Sequence, residues 1–416
     1  MDNSKMRTEK IRALWARLPE FVHSLPVLIK WLLIAGGIGA VVGAVASGFG
    51  HTLILANQLR ADRPWLVLLL PVGGLVIVAL YRGFRNSDDR GTNTIVASIQ
   101  DGEEIPFRMA PLIFVSTAIT QLCGGSAGRE GAALQLGGSI AKKLGKLLRL
   151  NGDSQRIAVM CGMSAGFSAL FGTPLAAAVF SMEVVSVGVM HYGALVPCVT
   201  ASLIAHLVAR LLQVPPEVFP VSDVPELTLL GFGKVLALGA VAALISIAFC
   251  VVLHKAEHWY EKYLKNQYLR IALAGVLVVG LSALLGTDMF LGSGMGIIEH
   301  IFHEGSTPWY SFALKMAFTA LTLGAGFKGG EIVPSFTVGA ALGCTLAAVL
   351  GLPVPLAAAC GMAGLFCGVT NSPVASLLIC FELFGFAGMP YYLTAVAVSY
   401  MLSGRHSLYQ IGRAHV

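Results

Sequence analysis

The sequence CGMSAGFSALFGTPLAAAVFSME, residues 161–183, returns 199 residues later as CGMAGLFCGVTNSPVASLLICFE, residues 360–382. Aligned without gaps, the two segments share seven of 23 positions, namely Cys, Gly, Met, Phe, Pro, Ala and Glu. Composition alone gives roughly one or two identities in a stretch of this length. Internal repeats in membrane transporters are commonly inverted across the bilayer, with broken helices that meet near its midplane. We therefore predict an all-α fold of two similar halves, residues 26–215 and 216–410.

The composition of the chain indicates a polytopic membrane protein. Of the 416 residues, 56% are hydrophobic and 12% are charged, and the mean hydropathy is +0.76. Soluble domains carry about 25% charged residues, so most of this surface is expected to face lipid or protein rather than water. A membrane-spanning helix needs about 20 mostly apolar residues. Apolar runs that reach or approach this length are residues 27–46, 65–81, 232–253, 271–285, 313–323 and 391–402.

Basic segments predict the orientation of the chain. Residues 1–25 are polar and basic, without the pattern of a cleavable signal peptide. The positive-inside rule predicts that they form a cytoplasmic amphipathic segment. Residues 82–90 and 142–149 are two more basic segments expected on that side. The formal net charge of +6 is consistent with contact with anionic lipid, and no nucleic-acid partner is expected.

Two glycine-rich clusters interrupt the apolar sequence. At the repeat offset of 199 residues, Arg129 lies opposite Lys328 and Gly131 lies opposite Gly330. Irregular backbone at membrane depth leaves amide groups unpaired unless it is buried in protein or lines a wet cavity. We therefore expect both clusters to lie at a protein-enclosed site. The clusters are GGSAGREGAALQLGG, residues 124–138, and GAGFKGGEIVPSFTVGAALG, residues 324–343.

Each cluster precedes a segment predicted to be helical, residues 132–148 and residues 334–350. Pro334 suits a first helical turn, where its missing N–H is not needed. The free N–H groups and the dipole of a helix N-terminus favour an anion. Two such ends, one from each half, are therefore candidates to converge on one ion.

A third candidate is RGTNTIVASI, residues 90–99, in which a Gly-Thr-Asn turn leads into a short apolar stretch. The Thr92 hydroxyl and the Asn93 amide are both donors suited to a halide. An ordinary polar loop with a helix N-cap explains the same pattern, and the segment alone does not decide between the two interpretations.

The order of these motifs resembles the CLC family of anion channels and proton-coupled anion antiporters. Gly-Thr-Asn-Thr-Ile comes first, then Gly-Arg-Glu-Gly, then Gly-Gly-Glu-Ile-Val-Pro, and finally a late Tyr. The resemblance extends from about residue 27 to residue 409. It implies a polytopic membrane protein of two inverted-topology repeats with broken and tilted helices. It also implies a dehydrated anion bound at helix N-termini, and a homodimer with one pathway in each subunit.

The resemblance assigns roles to individual residues. Glu130 matches the gating glutamate of the family, and Thr92 falls where most members have a serine hydroxyl facing the central anion. Tyr409 matches the tyrosine whose hydroxyl caps that site. Arg129 is expected mainly to hold its loop and to raise the local potential. The other positions predicted to bind the anion are Asn93, Thr94, Gly128, Gly131, Ile332 and Val333.

Several positions depart from the common pattern of the family. Asn93 and Glu331 look like the bacterial branch that exports fluoride, although that branch typically has a threonine where this chain has Val333. The common chloride/proton exchangers carry two glutamates at the end of the helix that contains the first repeated proline. Here Glu183 remains, and Val184 takes the place of the internal proton-transfer glutamate. Chloride and fluoride therefore both stay open as cargo.

Three further carboxylates receive hypotheses of their own. Glu331 is predicted either to handle protons together with Glu130 or to form a structural pair, with Lys328 as the candidate partner. Glu183 and Glu382 are equivalent in the repeat, and we expect them to share a structural task such as pairing or capping at a membrane face.

These observations predict transmembrane halide transport by an anion/proton antiporter that is gated by Glu130. A passive voltage- or proton-gated chloride channel is the alternative. An enzyme is not expected, because Ser126 and Ser164 lie in glycine-rich surroundings with no base implied near either. The eight cysteines form no C-x-x-C motif and the histidines show no metal-ligand spacing, so no metal or cofactor is expected. Residues 411–416 are expected to be an artefactual tail, with the natural chain continuing beyond Tyr409.

Overall fold

The computed structural model describes residues 20–87 and 89–409, with side chains from residue 24 onward. The predicted amphipathic segment up to residue 19 and the predicted tail, residues 411–416, lie outside the described residues. The described chain is almost entirely helical, which confirms the all-α prediction.

Sixteen α-helices and two short 3₁₀ helices, Pro64–Leu69 and Tyr192–Ala194, make up the described fold. The helices of the first half are α1 (Glu20–Asp62), α2 (Leu70–Gly83), α3 (Thr92–Gln100), α4 (Met109–Leu122), α5 (Glu130–Leu147), α6 (Gly152–Phe171), α7 (Pro174–Glu183) and α8 (Leu195–Leu211). Those of the second half are α9 (Leu229–Tyr263), α10 (Gln267–Leu285), α11 (Met295–Glu304), α12 (Ser311–Gly324), α13 (Ile332–Leu350), α14 (Val354–Thr370), α15 (Pro373–Phe384) and α16 (Met389–Ser403).

The helices differ in whether they are long enough to cross a membrane. Six segments of the described residues are long and apolar enough to cross a membrane by length and composition. The short helices α3, α7, α11 and α15 have 9 to 12 residues, too few for a complete span. The six long segments are Ser24–Asp62, Pro64–Gly83, Tyr192–Leu211, Leu229–Tyr263, Gln267–Leu285 and Ile332–Leu350.

The second half repeats the first with the predicted offset of 199 residues at α7 and α15, but with an offset three residues larger at the glycine clusters. Helices α5 and α6 start at residues 130 and 152, and α13 and α14 start at 332 and 354, an offset of 202. The ends of α6 and α14, at residues 171 and 370, are offset by 199, because α6 has 20 residues and α14 has 17. The structural equivalent of Gly330 is therefore Gly128, and the predicted pairings of Arg129 with Lys328 and of Gly131 with Gly330 are wrong.

Helices α5 and α13 also begin two residues earlier than predicted. The backbone is already helical at Glu130 and Ile332. Pro334 is thus the third residue of α13, still inside the first turn where helix N–H groups have no intrahelical partner. The gating candidate Glu130 is consequently the first residue of its helix rather than part of the preceding loop.

The two short helices α7 and α15 show directly that the halves are inverted. The carboxylate oxygens of Glu183, the last residue of α7, accept hydrogen bonds from Val374 N at 3.0 Å and Ala375 N at 2.8 Å in the first turn of α15. The Glu382 carboxylate accepts hydrogen bonds from the first turn of α7 in the same way, each at 2.9 Å. Each C-terminal end therefore lies at the other's N-terminus, so the equivalent helices are antiparallel. The predicted capping role of both glutamates is confirmed.

Glycines pack the helices of each half against one another at backbone distance. A Cβ at Gly137 of α5 would collide with the carbonyl oxygen of Gly162 in α6, and the reverse is also true. Gly339 and Gly361 form the equivalent contact between α13 and α14. These contacts fix the helices α5 and α13 that carry the glycine clusters.

A connecting segment, residues 212–228, joins the two halves, and we call it the strap. Glu217 N donates to the carbonyl oxygen of Phe171, the last residue of α6, at 3.4 Å. Phe219 N and Val221 N donate to the carbonyl oxygens of Leu383 and Phe384 at the end of α15, at 2.8 and 3.0 Å. The strap is thereby bound to helix ends from both halves.

Candidate functional site

The two glycine clusters meet in the middle of the molecule. Gly128 N donates to Gly330 O at 2.6 Å and Gly330 N donates to Gly128 O at 2.8 Å, forming an isolated antiparallel bridge. A Cβ at Gly330 would lie 2.5 Å from the backbone nitrogen of Gly131, so this contact needs glycine. Because α5 and α13 each begin two residues after a bridge glycine, their N-termini lie side by side, as the glycine clusters predicted.

The start of α3 joins this pair. Helix α3 begins at Thr92, directly after Gly91, which has φ +61. A Cβ placed on Gly131 would lie 3.6 Å from Thr92 Oγ1 and 3.2 Å from Glu331 Oε2. Gln135 Nε2 of α5 donates to Thr92 Oγ1 at 3.3 Å. Three helix starts, two from the first half and one from the second, therefore converge within a few ångströms. We call this place the junction.

A cavity of about 440 Å³ reaches the junction from one side of the molecule. Four of the predicted site residues line it, namely Thr92, Asn93, Glu331 and Tyr409. The remaining predicted residues, Thr94, Gly128, Arg129, Glu130, Gly131, Ile332 and Val333, are not among the lining residues. Ile332 and Val333 are fully buried in the first turn of α13. The cavity wall away from the junction carries Asp89, Arg90, Glu257, Glu261, Arg270 and Lys328.

Glu331 lies where the cavity meets the junction, and it forms no ion pair in the described structure. It is half-buried and occupies the N-cap position of α13. Lys328 Nζ instead binds Asp89 Oδ2 at 3.1 Å and lies 4.4 Å from the centroid of the Tyr81 ring. The predicted Lys328–Glu331 pair is therefore wrong, because Lys328 extends away from α13 toward the loop before α3. Among the described residues, no ion pair involves Glu331.

Tyr409 closes the junction beside Glu331. Its ring is buried, with 3% of its surface exposed, and its hydroxyl makes no hydrogen bond of ordinary geometry. The hydroxyl faces the carboxyl of Glu331 and also lies within electrostatic range of Glu130. A buried tyrosine O–H beside the N-cap residue of α13 is a donor for an anion at the junction.

Glu130 lies on the far side of the junction from the cavity. Its side chain is fully buried. One carboxylate oxygen accepts a hydrogen bond from Arg129 N at 3.1 Å, and the other accepts one from Arg129 Nε at 3.2 Å. The carboxylate therefore folds back over the start of its own helix, where the positive end of the dipole favours negative charge.

Arg129 connects this carboxylate to the strap. Its guanidinium donates to the carbonyl oxygen of Leu170 at 3.3 Å and forms an ion pair with Glu217. The sequence analysis did not identify Glu217. No local signal marks it, since it lies 88 residues from Arg129 and only the path of the strap brings the two together.

Lys315 is a second residue that the sequence analysis missed. It is fully buried in α12, and its Nζ donates to Ser126 Oγ at 2.9 Å, Phe290 O at 3.1 Å and Gly292 O at 2.7 Å. Through Ser126 it fixes the loop that leads to Arg129. A signal was present, because a charged residue inside an apolar run is a functional candidate by default.

The junction contains the hydrogen-bond donors and the partial positive charge that a dehydrated anion requires. Helix N-termini supply N–H groups and partial positive charge, and the hydroxyls of Thr92 and Tyr409 add O–H donors. Two carboxylates flank it, Glu130 on the strap side and Glu331 on the cavity side. Such a site can exchange an inorganic anion for a carboxylate, and each carboxylate can carry a proton.

Known proteins similar to this chain were found by family, by sequence and by structure. The family model described as "Voltage gated chloride channel" matches residues 73–404 of the chain. A protein of Pseudomonas syringae pathovar tomato named "Chloride/fluoride channel protein" is 36% identical over 404 residues, which cover 95% of this chain and 89% of that protein.

Two solved structures share the fold. A crystal structure of a CLC-type fluoride/proton antiporter is 33% identical, with a TM-score of 0.89, and the match covers 92% of this chain and 98% of that one. A slow cyanobacterial Cl⁻/H⁺ antiporter is 20% identical, with a TM-score of 0.78, over 90% of this chain and 94% of that one. At that identity, the second similarity shows the fold alone.

Proposed function

The chain belongs to the voltage-gated chloride channel family, and from that membership we propose that it exchanges a halide for protons across the membrane. One observation carries the proposal: the Glu130 carboxylate folds over the start of α5 at a junction of three helix N-termini. A side-chain anion at that position competes with a free anion for the same partial positive charge.

Competition at the junction couples the two ions. Deprotonated Glu130 occupies the start of α5 and blocks the path between the cavity and the strap side. Protonation removes the charge that holds the carboxyl there, so the side chain leaves and a halide can take its place. The coupling is reciprocal. Protonation of Glu130 raises the affinity of the junction for a halide, and a bound halide raises the proton affinity of Glu130 by the same factor.

Glu331 is proposed to carry protons on the cavity side. It lines the cavity, faces the hydroxyl of Tyr409 and has no cation in the described structure. An ionised carboxylate beside the junction repels a halide, so a halide in the junction favours the protonated form. This role fits the replacement by Val184 of the glutamate that serves the internal proton route in the common exchangers.

Fluoride is the cargo that we propose. Fluoride is small and strongly hydrated, so the loss of its water must be offset by hard N–H and O–H donors. The junction offers Thr92, Asn93, Tyr409 and backbone N–H groups. Relatives that are 36% and 33% identical carry fluoride in their names. Chloride is the second candidate, and Val333 is the residue that departs from the fluoride-exporting pattern.

A passive chloride channel is the alternative function with the same pocket. It differs in that the gate on the Glu130 side and the gate on the Glu331 side open at the same time. The fully buried Glu130 carboxylate at the helix start is the closed position of one of these gates, and coupled flux measurements separate the two functions.

We further propose that the protein acts in a bacterial plasma membrane with its N-terminus in the cytoplasm, in contact with lipid, and as a homodimer with one pathway per subunit. The six long apolar segments support the membrane location. The basic segments support the orientation, and the homodimer follows from the family resemblance.

Flux measurements in liposomes test the exchange. Purified protein is reconstituted into vesicles loaded with fluoride or chloride, and halide efflux and proton uptake are recorded together. We expect halide efflux to drive proton uptake against a proton gradient, and we expect fluoride efflux to be faster than chloride efflux. Glu130→Gln keeps the size of the side chain but cannot ionise, so proton uptake should stop and halide flux should lose its pH dependence.

Glu226→Gln is the matched control, because Glu226 is an exposed carboxylate of the strap without an ion pair among the described residues. It should behave as the unmodified chain. Halide efflux without any proton movement in the unmodified chain would instead support the channel.

A further inference from the structure

We propose that Glu217 of the strap is a positioning residue for the Glu130 gate: it shares the Arg129 guanidinium and thereby limits how firmly Arg129 retains the Glu130 carboxylate. The inference rests on the proposed function, in which Glu130 leaves the start of α5 when it becomes protonated. If so, the gate includes Glu217, a residue of the strap that connects the two halves.

The contacts form a chain from the junction to the strap. The Nε atom of Arg129 binds one oxygen of Glu130 at 3.2 Å, while an Nη atom of the same guanidinium binds Glu217. A third acceptor, the carbonyl oxygen of Leu170 at the end of α6, fixes the plane of the guanidinium at 3.3 Å. The two carboxylates therefore occupy different edges of one cation.

Burial makes the sharing strong. The side chains of Arg129 and Glu217 are 13% and 17% exposed, and that of Glu130 is not exposed at all. Charges in such surroundings interact several times more strongly than in water. When two carboxylates share a single buried cation, the net stabilisation of each ionised carboxylate is smaller than for one alone, because the two carboxylates repel each other.

The strap holds Glu217 in place from both halves. Its backbone donates to Phe171 O at Glu217 itself, and Phe219 and Val221 bind the end of α15. A Cβ on Gly172, which has φ +79 at the end of α6, would touch Pro216 at 2.7 Å. These backbone bonds hold the main chain of Glu217 beside the end of α6, so that its carboxylate has Arg129 within reach.

The other titratable groups around this chain are few. The carboxylate of Glu299 in α11, an exposed residue, repels that of Glu217, and the Tyr409 hydroxyl lies within electrostatic range of Glu130. Neither provides a second cation. Removal of the Glu217 charge therefore leaves Arg129 with Glu130 as its only carboxylate partner in the described structure.

The test titrates Glu130 directly. Infrared difference spectra of the full chain in detergent follow the Glu130 carboxyl band against pH, with Glu130→Gln as the reference that lacks only this band. Glu217→Gln keeps a hydrogen-bond acceptor for Arg129 but removes the charge. Arg129 then favours the Glu130 carboxylate more strongly, so the titration midpoint should move to lower pH by about one unit.

Two comparisons separate a role through Arg129 from a general charge effect. In an Arg129→Gln background, only the direct repulsion between the two carboxylates remains, so Glu217→Gln should cause a clearly smaller shift there, whereas an equal or larger shift would overturn the proposal. Glu217→Asp keeps the charge and should restore the midpoint toward that of the unmodified chain. Glu226→Gln, on the same strap, should leave it unchanged. A Glu217→Gln midpoint equal to that of the unmodified chain would also overturn the proposal.

Transport in liposomes distinguishes failure of this inference from failure of the proposed function. The pH of half-maximal halide flux should shift with the titration midpoint. A shifted titration in a protein that moves no halide would retain the role of Glu217 and reject the exchange. Proton-coupled halide flux together with an unshifted titration midpoint in Glu217→Gln would retain the exchange and reject the role of Glu217.

Discussion

At the scale of single residues, the two flanking carboxylates of the junction are held in different ways. Glu130 is fully buried and bound to Arg129. Glu331 is half-buried at the cavity, faces the Tyr409 hydroxyl and has no ion pair in the described structure. A carboxylate without a cation is costly to keep ionised away from water. The two positions therefore suit a gate that is electrostatically closed and a proton carrier that is easily neutralised.

Replacement of Glu331 tests the second role. We expect Glu331→Gln to reduce proton flux by about 100-fold, the lower range for the loss of a group that transfers protons. Halide binding should persist, because the amide no longer repels an anion. Proton uptake and halide binding are measured on the same preparation. Glu261→Gln, which removes an exposed carboxylate from the same cavity, should preserve coupling. Normal proton flux in Glu331→Gln would assign Glu331 a structural role.

At the scale of elements, α7 and α15 stabilise each other through their ends. Each helix is short, with 10 and 12 residues, and each begins with a proline. A short helix has few internal hydrogen bonds, so its unpaired N-terminal N–H groups matter more. The carboxylates of Glu183 and Glu382 satisfy two such groups on the opposite helix. At this contact the two halves of the inverted repeat therefore cap each other's short helix.

Reciprocal capping predicts equal losses from the two substitutions. Glu183→Ala and Glu382→Ala should each destabilise the fold by about 2 kcal/mol, since each removes two hydrogen bonds from a carboxylate to N–H groups at a helix start. Thermal unfolding in detergent micelles measures the effect. Glu226→Ala is the control, because this exposed residue caps no helix in the described structure. A large loss from one substitution and none from the other would contradict reciprocal capping.

At the scale of the whole molecule, the fold collects the basic segments on one face. Arg90, after α2, pairs with Glu103, and Lys146, near the end of α5, pairs with Glu104. The hydrogen bond from Lys146 lowers the pKa of the Glu104 carboxyl. The two basic segments, residues 82–90 and 142–149, therefore bind the same loop and must lie on the same side of the membrane. The positive-inside rule predicts that this side is cytoplasmic.

Labelling from outside the cell checks this orientation. The eight native cysteines are all buried, so a single exposed cysteine can be introduced into the unmodified background. Asp223→Cys on the strap should react with a membrane-impermeant maleimide in intact cells. Arg85→Cys, in the basic segment after α2, should react only after the cells are opened. The reverse pattern would place the cavity, rather than the strap, on the outer side.

The sequence by itself determined the class of the protein and most of its junction. Apolar composition, the repeated segments and the glycine clusters are local properties, and a segment of that composition has few alternatives in a bilayer. The motifs also identified Thr92, Asn93, Glu331 and Tyr409, which line one cavity in the structure. Helix starts were placed two residues late, since glycine-rich sequence does not mark where the backbone becomes helical.

Only the tertiary structure decided the partners of the charged residues. Lys328 binds Asp89, 239 positions away, Lys315 binds Ser126 across 189 positions, and Arg129 reaches Glu217 across 88. The bridge likewise joins Gly128 and Gly330, which are 202 residues apart rather than the 199 of the sequence repeat. Charged side chains in a low-dielectric interior bind whichever counter-charge or hydrogen-bond acceptor the packed helices place within reach. That choice depends on the three-dimensional path of the chain, which the residue order does not reveal.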